Sequence, residues 1–198
     1  MASNKNIFNV KHNDILPNQG CILVAEPLLL DAYFQRSVVL LIDHNEQGSM
    51  GFMLNKKTDL YVNTFFKELE EMPKIPIHLG GPVGPNRLFF VHSLGDIIIP
   101  NAVKVNNDLY FDGDFDALVR YIKNGHTIDG KVRFFLGYSG WDKGQLMDEI
   151  GQNSWAVSST YPNKMLIEDG DKLWKESVKQ LGQDYKTWNI FPKDPSLN

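Results

Sequence analysis

The tightest constraint on this chain is the length of its apolar runs: the longest, such as 38–42, are five residues. Segment 37–43 (Ser-Val-Val-Leu-Leu-Ile-Asp) is continuous rather than alternating, the signature of a strand buried on both faces. Turn chemistry follows at 45–49, with Asn45 and Gly48, and an apolar stretch returns at 50–54. Residues 37–55 therefore read as a hairpin. A membrane-crossing helix needs about 20 consecutive apolar residues, so none is expected.

The remaining segments are short and mixed in type. Residues 20–25 read as a strand. Val62, Phe65, Phe66 and Leu69 recur at helical spacing and predict a helix that Pro73 and Pro76 stop. Short strands are expected at 77–79, 88–92 and 97–99, with another near 102–105. Asp112 or Asp114 is placed to cap a helix that buries Phe115, Leu118, Val119 and Ile122 and ends at Asn124-Gly125. A strand at 132–136, a helix at 142–151, a strand at 155–158 and a helix at 171–181 complete the pattern. Strands cluster early as hairpins while helices are scattered, which is an α+β arrangement rather than a βαβ alternation. No repeat or linker divides the chain. The expected organisation is an N-terminal extension over 1–18, one domain over 19–182, and a tail over 183–198 whose Trp188, Ile190 and Phe191 pack back on it.

Charge narrows the function classes. With 20 basic and 24 acidic side chains the formal charge is −4. Residues 1–100 hold 8 basic and 10 acidic groups, so neither half is a basic arm. Lys172, Lys175 and Lys179 alternate with acidic residues, which is a solvated face and not a phosphate track. No pair of helices is joined by the 3–4-residue turn of a helix-turn-helix, so direct DNA binding is not expected. Cys21 is the only cysteine; it sits in an apolar run and reads as a core residue in a reducing compartment. The N-terminus lacks a secretory h-region, so a cytoplasmic location is expected.

Three stretches carry the most specific texture. The first combines 20–25 (Gly-Cys-Ile-Leu-Val-Ala), Pro27, Phe34, 36–40 (Arg-Ser-Val-Val-Leu), His44 and 51–55 (Gly-Phe-Met-Leu-Asn). The second is 79–83 (Leu-Gly-Gly-Pro-Val). The third is 137–141 (Gly-Tyr-Ser-Gly-Trp) with Gly144, Gln145, Leu146, Glu149 and Trp155. In order and spacing these resemble the signatures of the YqgE/AlgH family, over roughly residues 20–182. The resemblance implies a single bacterial α+β domain, largely antiparallel, with sheets folded into a pseudo-barrel and about four packed helices. Members are often labelled transcriptional regulators, a label that stems from a genetic association. The family supplies no catalytic residues to carry over. Asp142-Lys143 stands here where Gly-Pro is often found.

Folding physics accounts for part of the third stretch. With Asp142 as N-cap, Gln145 can reach back to its N–H, and Trp141 and Leu146 take the positions of a hydrophobic staple. That leaves Gly137, Tyr138, Ser139, Gly140 and Gly144 unexplained. Gly137-Tyr-Ser139-Gly140 lacks the Gly-x-Ser-x-Gly spacing of a hydrolase elbow. The turn at Gly80, Gly81 and Pro82 lacks the Lys and Ser/Thr of a P-loop. No histidine pair has the spacing of a helical metal site. His44, His78 and His92 each end a predicted strand and could converge, with Asp43, on an acid/base site. The candidate binding residues are therefore His44, Asn55, Gly80, Gly81, Pro82, His92, Gly137, Tyr138, Ser139, Gly140 and Trp141. The favoured reading is a non-catalytic regulatory or adaptor module that holds a protein or small ligand, with no metal or cofactor. The alternatives are an enzyme built on His44, Asp43 and His92, and a nucleic-acid-associated regulator. A homodimer is the default assembly.

Overall fold

The computed structural model describes residues 13–161 and 165–192; His12 lies outside them. Ten strands make one mixed sheet in the described residues. β1 (Ile22–Ala25), β2 (Val38–Asn45) and β3 (Gly48–Met53) form an antiparallel meander, with β10 (Trp155–Ser158) on the outer side of β1. β9 (Val132–Asp142) follows β3, then β6 (Val83–His92), β8 (Tyr110–Phe111) and β7 (Val103–Lys104). β4 (Lys57–Tyr61) pairs with β5 (Pro76–Leu79), which joins β9 in parallel. The path runs from β10 to β7 and does not close, so the sheet is open rather than a sealed barrel. With α1 (Phe115–Lys123), α2 (Gln145–Gly151) and α3 (Gly170–Gln180), the chain is a single α+β domain.

The continuous apolar run of β2 is buried on both faces. Val38, Leu40 and Ile42 enter a core with Trp174 and Leu173 of α3, while Val39 and Leu41 enter a second core with Leu146 and Ile150 of α2. Cys21 belongs to the second core, and burial pushes its thiol up to about 11. A third core packs Leu118, Val119 and Ile122 of α1 against Phe134 and Ile77. Burying a side chain of this size contributes roughly 1.5–3 kcal/mol. The segment Gln183–Ile190, a run of 3-10 turns, buries Tyr185 and Trp188 in the first core, whereas Ile190, expected to pack back, is exposed.

β9 organises both halves of the sheet. Its first part pairs with β5 through Phe134–Leu136, and its last part pairs with β3 through Ser139–Asp142. The change of partner falls at Gly137, whose φ of 64° is left-handed. There the carbonyl oxygens of Gly81 and Val83 lie 2.6 and 2.7 Å from where a Cβ would stand. A side chain at this position would meet both strain and backbone.

Three local expectations change. Residues 62–69 form two short 3-10 turns, Val62–Thr64 and Lys67–Leu69, not one helix. Asn63 takes over the bonding: its amide donates to the carbonyls of Leu69 and Met72 (2.6 and 3.1 Å) and accepts from Ile75 N–H (2.8 Å). Such side-chain bonds compete with the helical ladder. Residues 97–99 are not a strand, and Ile97 is exposed. The helix over 142–151 begins only at Gln145, after a left-handed Gly144 (φ 80°), because Asp142 still belongs to β9. Gln145 nevertheless reaches back, its Oε1 accepting from Asp142 N–H at 3.0 Å. Asp114, by contrast, caps α1 as expected, accepting from Ala117 N–H at 3.0 Å.

Candidate functional site

The glycines of the second and third signatures serve close backbone packing. A Cβ on Gly80 would stand 2.2 Å from the Gly137 carbonyl oxygen, and one on Gly81 2.2 Å from the Tyr138 carbonyl carbon. Ser139 is buried and donates to Gly80 O at 3.0 Å. The turn that continues into exposed Pro82 is thus clamped against β9. Residues 137–141 are strand. Asn55 is a rivet: it accepts from Val38 N–H (2.9 Å) and donates to the carbonyls of Arg36 (2.8 Å) and Gly170 (3.0 Å).

Trp141, one of the candidate binding residues, is 5 % exposed. Its ring meets Phe34 and Trp155, and its N–H donates to Glu149 Oε2 at 2.9 Å. Trp155 donates to the same oxygen at 2.7 Å, and Gln145 to the other at 2.9 Å. One carboxylate on α2 thereby ties two indoles and the start of the helix together. Tyr138 is half-buried, with its ring edge-on to Phe89.

The three signatures do meet. Asp43, Asn45, Ser49 and Met50 come from the hairpin that carries the first, Val83 from the second, Tyr138 and Gly140 from the third, and Asp142 from just beyond it; together they line an open groove of about 570 Å3. β3 lies beside β9 with Met50 opposite Gly140, and Val83 lies opposite Tyr138. The charged side chains lining the groove are Asp43 and Asp142, both exposed. His44 Nδ1 lies 2.7 Å from the hydroxyl of Ser49.

The histidines do not converge, which corrects the acid/base site expected from His44, Asp43 and His92. His44 stands opposite Ser49, which stands opposite Trp141, whereas His92 stands opposite Val132. Those two β9 positions are nine residues apart, roughly 30 Å along the strand. His92 is buried, its Nε2 donating to Asp112 O at 3.1 Å. Among the described residues no group of three or more His, Cys, Asp or Glu side chains could hold a metal ion.

A second concavity was not read from the motifs. It lies between the 72–76 connection, the end of α1 with the loop after it, and residues 166–169, and its volume is about 520 Å3. Its walls are apolar, with Ile75, Ile122, Ile128, Val132, Leu166 and Ile167. His78, Arg133 and Asp169 also line it. His78 is 2 % exposed and Arg133 4 %. His78 Nε2 lies 2.7 Å from Asp169 Oδ1, and Arg133 Nη1 lies 3.3 Å from the same oxygen. Arg133 also donates to the carbonyls of Leu54 and Glu168. Burial lowers His78 below its ordinary value, outweighing the Asp169 hydrogen bond. Burial pushes the Asp169 carboxyl up, but the His78 hydrogen bond and the Arg133 charge outweigh it and hold it below the ordinary range. No short spacing links these residues: β5 places His78 and β9 places Arg133 in adjacent strands, and the turn before α3 supplies Asp169. Their residue types alone gave no signal beyond the lone histidine at a strand end.

Comparison with known proteins gives a consistent picture. A family model described as AlgH-like matches residues 22–186. A UPF0301 protein from Parabacteroides distasonis is 70% identical over 198 residues, covering 100% of both chains. One from Bacteroides fragilis is 47% identical over the same full length. The crystal structure of a protein from Corynebacterium diphtheriae superposes with a TM-score of 0.75 at 24% identity, covering 96% of this chain and 100% of that one. The solution structure of the AlgH protein from Pseudomonas aeruginosa superposes with a TM-score of 0.66 at 24% identity, covering 91% and 98%. The two structural likenesses speak to the fold alone.

Proposed function

The chain belongs to the AlgH-like family, and on that premise we propose that it is a non-catalytic adaptor module whose signature groove holds a cationic segment of a partner protein. The observation that carries this reading is that three segments far apart in sequence line one groove whose charged side chains, Asp43 and Asp142, are both acidic. Tyr138 and Met50 supply apolar contact beside them. A rigid aromatic next to exposed charge suits a protein interface, where the charges set orientation and on-rate. A nucleic-acid backbone would meet the wrong sign here. The contact of His44 with the Ser49 hydroxyl is what a hydrolytic reading would start from. Among the described residues no carboxylate orients that imidazole, and Asp43 instead accepts from Asn45 at 3.0 Å.

The test is affinity capture from a bacterial lysate with three proteins: wild type, Tyr138→Ala, and Asp43→Lys combined with Asp142→Lys. The reading expects a partner retained by wild type, lost by both variants, and released as salt is raised. Isotope-labelled protein titrated with the purified partner should shift the amides of Ser49, Met50 and Gly140. A partner captured equally by folded charge-reversed protein sinks the reading.

A further inference from the structure

At the signature groove one strand outruns its neighbour. β6 faces β9 only as far as Val83, opposite Tyr138. Before Val83 the chain leaves the sheet at Pro82, and Gly81 crosses against the peptide between Tyr138 and Ser139. β9 continues to Asp142 with β3 on its other side, Met50 opposite Gly140 and Gly48 opposite Asp142. Among the described residues no strand pairs with the second edge of β9 past Tyr138. Asp142 N–H donates to the Gln145 side chain at 3.0 Å, so it does not point at β3. Alternate residues of an antiparallel strand bond toward the same side. The N–H and C=O of Gly140 therefore face the open edge too. Gly140 is half-buried and Asp142 exposed, so this edge is reachable from solvent.

The side chains around Gly140 set what an added strand would carry. Asp43, Met50 and Gly140 form one row across three strands, on one face of the sheet. Tyr138 and Asp142 stand on that face too, two residues to either side of Gly140. A residue paired with Gly140 would lay its side chain over this bare position, diagonal to the Tyr138 ring and to the Asp142 carboxylate. The charges lining the groove are Asp43 and Asp142; His44, Glu46, Arg87 and Lys143 lie outside it. Arg87 instead stacks on Phe89 at 5.1 Å. A cation between a carboxylate and an aromatic face is favoured by both. We propose that the partner binds as an extended segment added to the open edge of β9, exchanging backbone hydrogen bonds with Gly140 and placing a basic side chain between Tyr138 and Asp142. In such strand addition the main chain supplies affinity and alternate side chains supply specificity. The proposal rests on the groove's being a site for a cationic segment and adds the conformation and register of that segment.

The probe is the peptide Thr-Val-Thr-Arg-Thr-Val-Thr with acetyl and amide ends, titrated into the full isotope-labelled chain up to millimolar concentration and followed by NMR. Two further peptides carry one N-methyl group each, on the arginine amide, which would donate to Gly140 C=O, or on the amide of the threonine after it, which would face away. A fourth has glutamate in place of arginine. The parent should bind and slow hydrogen exchange at the Gly140 amide. Methylation at arginine should weaken binding on the order of tenfold relative to methylation at threonine. The glutamate peptide should not bind, and Asp142→Lys should weaken the parent on the order of tenfold. Equal binding of the two methylated peptides, or a Gly140 amide left unprotected in the saturated complex, would overturn strand addition. If the glutamate peptide still failed to bind in that case, the cationic groove would stand without it. Equal binding of the arginine and glutamate peptides would sink both. A parent peptide that does not bind at all would overturn strand addition, because only backbone and one cation are asked of the ligand, and the capture experiment would still decide the groove.

Discussion

Toward one end of β9, Tyr138, Gly140 and Asp142 line an open groove; toward the other, Arg133 lines a half-enclosed cavity. The groove keeps its two carboxylates in water and its structural groups behind them: Trp141 is sealed against Phe34 and Trp155, and Ser139 is tied to Gly80. The cavity does the reverse, drawing a guanidinium and an imidazole almost wholly out of solvent around one carboxylate. Exposed charges in high dielectric contribute little to folding, whereas buried ones are costly when a partner is removed. In the groove, recognition and folding are therefore separable side chain by side chain. In the cavity, the buried polar groups hold β5, β9 and the turn before α3 together.

Four measurements break or sharpen this contrast. The largest effect is expected for Trp141→Ala, the structural wall behind the groove, which should lose ~3–5 kcal/mol in urea unfolding. A loss near that of a surface residue would mean the indole is not part of the core. Next, Asp169→Ala leaves His78 and Arg133 without their shared acceptor. Because Asp169 is about a third exposed, the loss should be about 2–3 kcal/mol, below that of a fully buried pair. Third comes pH. Burial holds His78 and His92 below 6.5, so above that value both states carry them neutral and stability is flat. As the pH falls through 6.5 the unfolded chain protonates first, and stability drops until the folded values are reached. The slope is at most ~1.4 kcal/mol per pH unit for each histidine. Denaturation midpoints between about pH 7.5 and 5.5 should show it, and His78→Gln should lessen it. The smallest effect is expected for Asp43→Lys with Asp142→Lys, whose stability should stay within about 0.5 kcal/mol of wild type. A larger loss would end the separation of binding from folding at the groove.

Much of the fold could be read from local pattern, and the reasons are visible at particular residues. The run at 38–42 announced burial on both faces because no polar residue interrupts it, and the structure divides it between two cores. The cap at Asp114 and the reach-back of Gln145 follow from short-range geometry. The helix read over 62–69 failed because its apolar spacing was real but Asn63 captured the backbone groups that a helix needs. The glycines at 80, 81 and 137 stand out in the sequence as binding candidates, and in the structure their close neighbour is the facing backbone. The cavity was least legible. His78, Arg133 and Asp169 meet only through strand pairing and a loop far along the chain, and composition holds no trace of such a meeting.

The left-handed residue at position 137 has a mechanical corollary. Five steps along one strand separate Arg133 from Tyr138, roughly 17 Å. That short span behaves as a beam resting on two supports, with its change of partner at a residue that tolerates no side chain. Whatever twists the beam tilts both of its ends, so a change at this joint should register in both recesses even though neither contains it.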